Sequence, residues 1–201
     1  MEKKVSLWSL FFVVFLDLLG IGIIIPILPL VFYETSLLPP ETSIATIDIL
    51  LGLLIASYPF AQFFGAPILG AVADKHGRKP VLLLSLAGAA LGYGLFGLGL
   101  VIGSVPLLFL SRMLAGFMAG NLAVVKAIIA DTSDLKSRVK NFGMIGMAFG
   151  MGFILGPFLG GTLANSNLVW WFSPSTPFWF ATLVLLINIA FVHFPDKAKE
   201  L

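Results

Sequence analysis

Apolar residues along this chain come in long runs, separated by short polar clusters. Residues 7–32, 49–71, 80–101, 105–130, 141–164 and 177–194 are each close to the ~20 mostly apolar residues that a helix needs to cross a bilayer. The pattern predicts six membrane-spanning helices joined by short loops. The first run follows Lys3 and Lys4, as a signal peptide would. Its apolar stretch far exceeds the roughly 7–15 residues of such a peptide's core, and no small-residue cleavage site follows promptly, so it reads as a retained helix. Pro80 suits the start of the third run, because the first helical N–H has no partner within the helix.

The polar clusters differ by side. Lys75, Arg78 and Lys79 separate runs two and three, Lys136, Arg138 and Lys140 separate runs four and five, and Lys197 and Lys199 follow run six. Between runs one and two stand Glu34, Glu41 and Asp48 with no Lys or Arg, and the separators after runs three and five carry no charge. Basic residues alternate strictly by side, which predicts that both termini are cytoplasmic. Trp170, Trp171 and Trp179 flank the last outer loop, and Trp8 stands at the inner end of the first helix. Those are interfacial anchor positions.

Composition agrees with lipid as the solvent. Hydrophobic residues make up 59% of the 201 and charged residues 11%, and the mean hydropathy is +1.04. A soluble domain has about 45–50% apolar and about 25% charged residues. The net charge is +2, but the basic residues sit in loops between spans, so a nucleic-acid partner is not expected. There is no cysteine, which excludes disulfides, thiolate metal sites and cysteine catalysis. His76 and His193 stand near span ends without a serine nucleophile or metal spacing beside them, and the Gly-rich stretches lie within spans. An enzyme is not expected, nor a cofactor or a metal.

Three ionisable residues fall inside the apolar runs: Asp17, Arg112 and Lys126. An unpaired charge there costs several kcal/mol, so function is the default expectation. Asp17 lies roughly 15 Å from the inner end of its helix and Arg112 roughly 10 Å from the outer end of its own, at 1.5 Å per residue. In a ~30 Å core their depths differ by about 5 Å, which an arginine side chain spans. They are predicted to be close, paired or linked by water. A carboxyl balanced between burial and a nearby guanidinium can exchange a proton; the pair can also serve only to fix helices one and four. Lys126 can snorkel to the cytoplasmic interface or line a cavity toward an anionic substrate group. Its separation of 14 residues from Arg112, close to four turns, predicts a shared face. Asn121 and Gln62 are further polar candidates for a cavity.

Glycines recur in spans three (Gly88, Gly92, Gly94, Gly97, Gly99) and five (Gly146, Gly150, Gly152, Gly156, Gly160, Gly161), where they let helices approach closely. Four segments, in order, carry a resemblance. They are Asp17-Leu18-Leu19-Gly20 with Pro26 and Pro29; Gly70-Ala71-Val72-Ala73-Asp74-Lys75-His76-Gly77-Arg78-Lys79; Arg112-Met113-Leu114-Ala115-Gly116, running on to Ala130-Asp131; and Gly152-Phe153-Ile154-Leu155-Gly156-Pro157-Phe158-Leu159-Gly160-Gly161. The chain resembles the N-terminal half of a major facilitator superfamily drug/proton antiporter of the 12-helix type, and most of all the tetracycline/proton antiporters.

The resemblance implies an all-α integral membrane fold: a six-helix bundle over residues 1–195, with 196–201 opening the central cytoplasmic loop. It implies efflux of a small amphipathic drug or metabolite against an inward proton, by alternating access, in the cell membrane. Asp17 and Arg112 would couple the proton, the coupling ion. Gly70, Asp74, Gly77, Arg78 and Asp131 would form a cytoplasmic gating motif, with Gly77 permitting a tight turn. Gly152, Gly156, Pro157, Gly160 and Gly161 would form an antiporter glycine ridge, with a bend at Gly156-Pro157. Spans one, two, four and five would line the cavity, with Phe11, Phe12, Phe15, Phe60, Phe63, Phe64 and Phe149 as candidate walls. Lys126 stands where these antiporters have a small residue, which points to a different or more acidic substrate. The expected partners are the bilayer, a small-molecule substrate and a second six-helix half, in a longer chain, a separate chain or a homodimer. The alternatives are a half that does not transport alone, and a uniporter or symporter of the same fold.

Overall fold

The structure is a computed structural model, and it describes residues 7–34 and 37–193. Lys3, Lys4, Lys197, Lys199, residue 194 of the sixth predicted span and residues 195–201 lie outside the described residues. The helices are α1 (Leu7–Glu34), α2 (Ile44–His76), α3 (Arg78–Ile102), α4 (Val105–Met118), α5 (Asn121–Thr132), α6 (Arg138–Leu163) and α7 (Thr176–His193). α4 and α5 are two parts of a single span, Val105–Thr132, so the described residues form six spans.

The helices overrun the apolar runs because polar residues cap their ends. Ser43 caps α2 by accepting from the Thr46 amide at 3.2 Å. α2 then continues past the run that ends at residue 71, as far as His76. Gly77 alone joins it to α3, at φ 91° and ψ 150°, a backbone conformation that side chains strongly disfavour. The tight turn expected at Gly77 is therefore present.

Span four is not one uniform helix. Ala119 and Gly120 have ψ of −6° and −13°. The amides of Gly120, Leu122 and Ala123 each bond the carbonyl three residues back, at 3.1–3.3 Å. This is a short turn of 3₁₀ geometry. Apolar residues run through it unbroken, which is why the sequence predicts a single helix over 105–130.

Two pairs of helices meet backbone to backbone, where glycine removes the side chain from the contact. α1 meets α6: a Cβ on Gly156 would lie 2.6 Å from the Gly22 Cα, and one on Gly160 would lie 2.5 Å from the Ile23 carbonyl oxygen. α2 meets α4: a Cβ on Gly116 would lie 2.2 Å from the Tyr58 carbonyl oxygen, and one on Gly65 would lie 2.1 Å from that of Phe117. α3 packs on α4 and on α7, where the Phe96 and Phe178 rings stand 4.4 Å apart. α1 is the most enclosed span, and α2 and α6 the most open. At the end of α1 remote from Gly77, the Tyr33 hydroxyl donates to Asp48 of α2.

The glycine ridge thus divides. Gly152, Gly156 and Gly160 are buried against α1, and the Pro157 ring also lies near Gly22. Gly161 faces open space, as does Gly70, so neither makes a close approach within the described residues. α6 continues as a helix through Pro157.

Gly156→Ala should destabilise the folded chain by about 1–3 kcal/mol through overpacking against backbone. Gly161→Ala should stay within about 0.5 kcal/mol of the parent, as expected at an open surface site. Denaturant unfolding of the purified chain in detergent measures both.

Candidate functional site

Asp17 of α1 and Arg112 of α4 are buried inside the bundle, at 7% and 3% exposure. They do not form an ion pair; the ion pairs among the described residues belong to Arg78. The guanidinium carbon of Arg112 instead stands 4.4 Å from the centroid of the Tyr58 ring on α2, a cation–π contact. Arg112 Nε and Nη1 have no hydrogen-bond partner. Direct pairing, one of the two arrangements expected from depth, is not what the helices build. The aromatic face of Tyr58 takes the cation.

Tyr58 and Tyr93 both lie beside Asp17 and Arg112. The Tyr93 hydroxyl occupies the space that a side chain at position 20 would fill, since a Cβ on Gly20 would lie 1.8 Å from it. Gly20 therefore lets a tyrosine from α3 reach the level of Asp17. The motifs and the charge pattern of the sequence do not single out Tyr58 or Tyr93. The available signal was a phenol in the middle of an apolar run, because a buried Tyr generally needs a polar partner.

Asn121 and Gln62 each make a hydrogen bond between helices, and Gln62 is half-buried. Asn121 is fully buried at the first position of α5. Its Nδ2 donates to Ser85 Oγ of α3 at 3.1 Å, and its side chain also faces Asp17. Gln62 Nε2 donates to the Ala119 carbonyl at 3.0 Å, across from α2 to the tightened turn.

Lys126 is exposed, whereas Arg112 is buried. On α5 the buried places are taken by Asn121, Val124, Val125, Ile128 and Ile129. Phe60, Phe63 and Phe64 are exposed together on α2, Phe12 is exposed on α1, and Phe11 is buried. Phe15 and Phe149 are partly buried.

A second cluster closes the end of the bundle at Gly77. Arg78 Nη2 stands 2.7 Å from Asp131 and 3.9 Å from Asp74. The closer partner belongs to the far end of span four, so the α2–α3 turn is tied to α5. Nearby, Asp134 accepts from both the hydroxyl and the amide of Ser137, which holds its carboxyl below the usual range. Lys79 Nζ donates to the His193 carbonyl at 3.2 Å, joining the start of α3 to the end of α7. His76 is exposed. Among the described residues no group of His, Asp and Glu could hold a metal.

The sequence model of the Major Facilitator Superfamily matches residues 10–201. The chain belongs to this superfamily. It is similar to the tetracycline resistance protein, class B, of Escherichia coli: 39% identical over 181 residues, 89% of this chain and 41% of the relative. It is similar to multidrug resistance protein 1 of Bacillus subtilis at 34% identity, over all of this chain and 48% of the relative. It is also similar to the quinolone resistance protein NorA of Staphylococcus aureus, at 32% identity over 98% of this chain and 47% of that protein. The chain therefore spans about half the length of the curated relatives it matches. Among solved structures it shares its fold with the inward-open xylose transporter XylE of E. coli, with a TM-score of 0.69 at 18% identity, over 95% of this chain and 49% of that one. These relatives are transporters and not enzymes.

Tyr58→Phe keeps the ring under Arg112 and should cost less than about 1 kcal/mol. Tyr58→Leu removes it and should cost about 2 kcal/mol or more, the range of a desolvated cation–π contact. Unfolding of the two variants side by side separates ring from hydroxyl. Ser137→Ala should return Asp134 toward the ordinary carboxylate range. A depressed carboxyl pKa contributes stability above its unfolded value and loses it as pH falls through the folded value, so the variant should lose less stability on acidification, and carboxyl NMR should find Asp134 titrating at higher pH than in the parent.

Proposed function

We propose that this chain is the N-terminal half of a proton-coupled exporter of small amphipathic compounds, with Asp17 as the residue that takes up and releases the proton. The observation that carries the reading is a buried carboxyl and a buried guanidinium in the middle of one bundle, not locked in an ion pair. A locked buried pair is a structural clasp; an unlocked carboxyl can bind and lose a proton as its surroundings change. The resistance proteins among the relatives support an amphipathic drug as cargo.

Transport by alternating access needs a cavity between two halves. The exposed aromatic face of α2 and the open face of α6 offer surfaces for a second six-helix half. The basic end of the bundle, with Arg78, Lys79 and Arg138, would face the cytoplasm. A second reading follows from the half length: alone, the chain is a folded half that moves nothing until a partner half is present.

Both readings are tested in proteoliposomes carrying a pH-sensitive dye and an imposed proton gradient, with tetracycline and other amphipathic compounds added. The chain, alone or with a separately expressed C-terminal half of a relative, should dissipate the gradient when its compound is present. Asp17→Asn should reduce that flux at least tenfold. Flux retained in Asp17→Asn would remove Asp17 from the proton step, and flux seen only with the added half would establish the second reading. Lys126→Gly should leave proton coupling intact and alter the ranking of compounds, with anionic ones losing most.

A further inference from the structure

The Asp17 carboxyl lies beside an amide whose orientation the surrounding bonds fix. The Ser85 hydroxyl donates to the Leu82 carbonyl at 2.8 Å. Its single hydrogen is thereby used, and its oxygen can only accept. The atom of Asn121 that stands 3.1 Å from it must therefore be the NH₂ group. This settles which way the carboxamide points. The second hydrogen of that NH₂ is free of Ser85, and Asn121 Oδ1 is buried without any donor.

Such an orphan is costly, because a buried acceptor without a partner has given up its hydrogen bond to water and gained none in return. It also sits in an unusual place in the chain. Asn121 is the first residue after the tightened turn, which Gln62 of α2 holds through the Ala119 carbonyl. Gly120 allows the approach, since a Cβ there would lie 2.4 Å from the Gly65 backbone. Three helices thus cooperate to fix one amide next to Asp17.

We propose that Asn121 is the positioning residue of the Asp17 carboxyl in both of its protonation states. Its NH₂ donates to the carboxylate when Asp17 is charged. Its Oδ1 accepts the O–H when Asp17 carries the proton, so the acid and the amide then meet through two hydrogen bonds. The proton moves only between Asp17 and the solvent-accessible pathway, and Asn121 neither gains nor loses one. This inference rests on the reading of Asp17 as the proton-binding residue. The other groups facing Asp17 are Tyr58 from α2 and Tyr93 from α3, and Arg112 from α4 faces the same two tyrosines. The titratable side chains of α6 and α7 are Arg138, Lys140 and His193, at the helix ends remote from Asp17.

The test is infrared difference spectroscopy of the chain in lipid vesicles, comparing acidic with neutral pH. The carboxylic C=O band of Asp17 is identified by its loss in Asp17→Asn. In Asn121→Leu, which keeps the size and removes both bonding groups, the band should move to higher wavenumber, as a carboxylic acid does when it loses its hydrogen bonds. Its pH midpoint should also move by half a unit or more. Where Asn121→Leu does not yield folded protein, Ser85→Ala frees the amide to rotate and should shift or broaden the same band. A band at the parent position and midpoint in these variants overturns the role of Asn121 while leaving Asp17 as the proton site. The absence of any Asp17 band that responds to pH overturns both readings.

Discussion

The hydrocarbon core of a bilayer holds no water, so a polar group within a span must find its partner inside the bundle. Arg112 and Asp17 are the severe cases, and the packing around them follows from that constraint. A guanidinium can be stabilised by an aromatic face as well as by a carboxylate, and Tyr58 supplies that face. For Tyr58 to lie so close, α2 and α4 must touch backbone to backbone, which Gly65, Gly116 and Gly120 allow. For Tyr93 to reach the same level, α1 must carry no side chain at Gly20. The glycines of this protein are thus the condition under which its charges can be buried.

The same constraint explains the tightened turn in span four. The 3₁₀ turn at Ala119 and Gly120 leads directly into Asn121, which is fully buried. Gln62 adds a second hydrogen bond to the Ala119 carbonyl, which also accepts from the Leu122 amide within the turn. A polar residue on α2 therefore stabilises an irregularity on α4, and that irregularity places an amide beside Asp17. Meanwhile α1 and α6 form a second backbone-to-backbone pair, through Gly22, Gly156 and Gly160. Asp17 sits where the two tight pairs meet.

The spans were legible because apolar length is a direct reading of membrane thickness, and the family because four motifs stand in order along the chain. Gly77 was legible as a turn, since only glycine readily takes its backbone conformation. The partner of Arg112 was not: depth along two helices gives height and says nothing of rotation, so a tyrosine on a third helix went unseen. The tightened turn in span four was not legible for a related reason, because a local change in helical twist leaves no mark in hydrophobic periodicity. The outward turn of Gly161, one residue after the buried Gly160, shows how fine a rotation separates a packed glycine from an open one.

The central claim is that Asp17, buried in one cluster with Arg112 through the shared neighbours Tyr58 and Tyr93, is not locked to it in an ion pair and can serve as the proposed proton-binding residue. The most direct measurement is the unfolding free energy of Asp17→Asn against the parent in detergent or bicelles. If Asp17 is unlocked, the neutral amide replaces it at a cost below about 1 kcal/mol. A loss of about 3–5 kcal/mol, the cost of stripping one partner from a buried ion pair, would show a structural clasp and contradict the account.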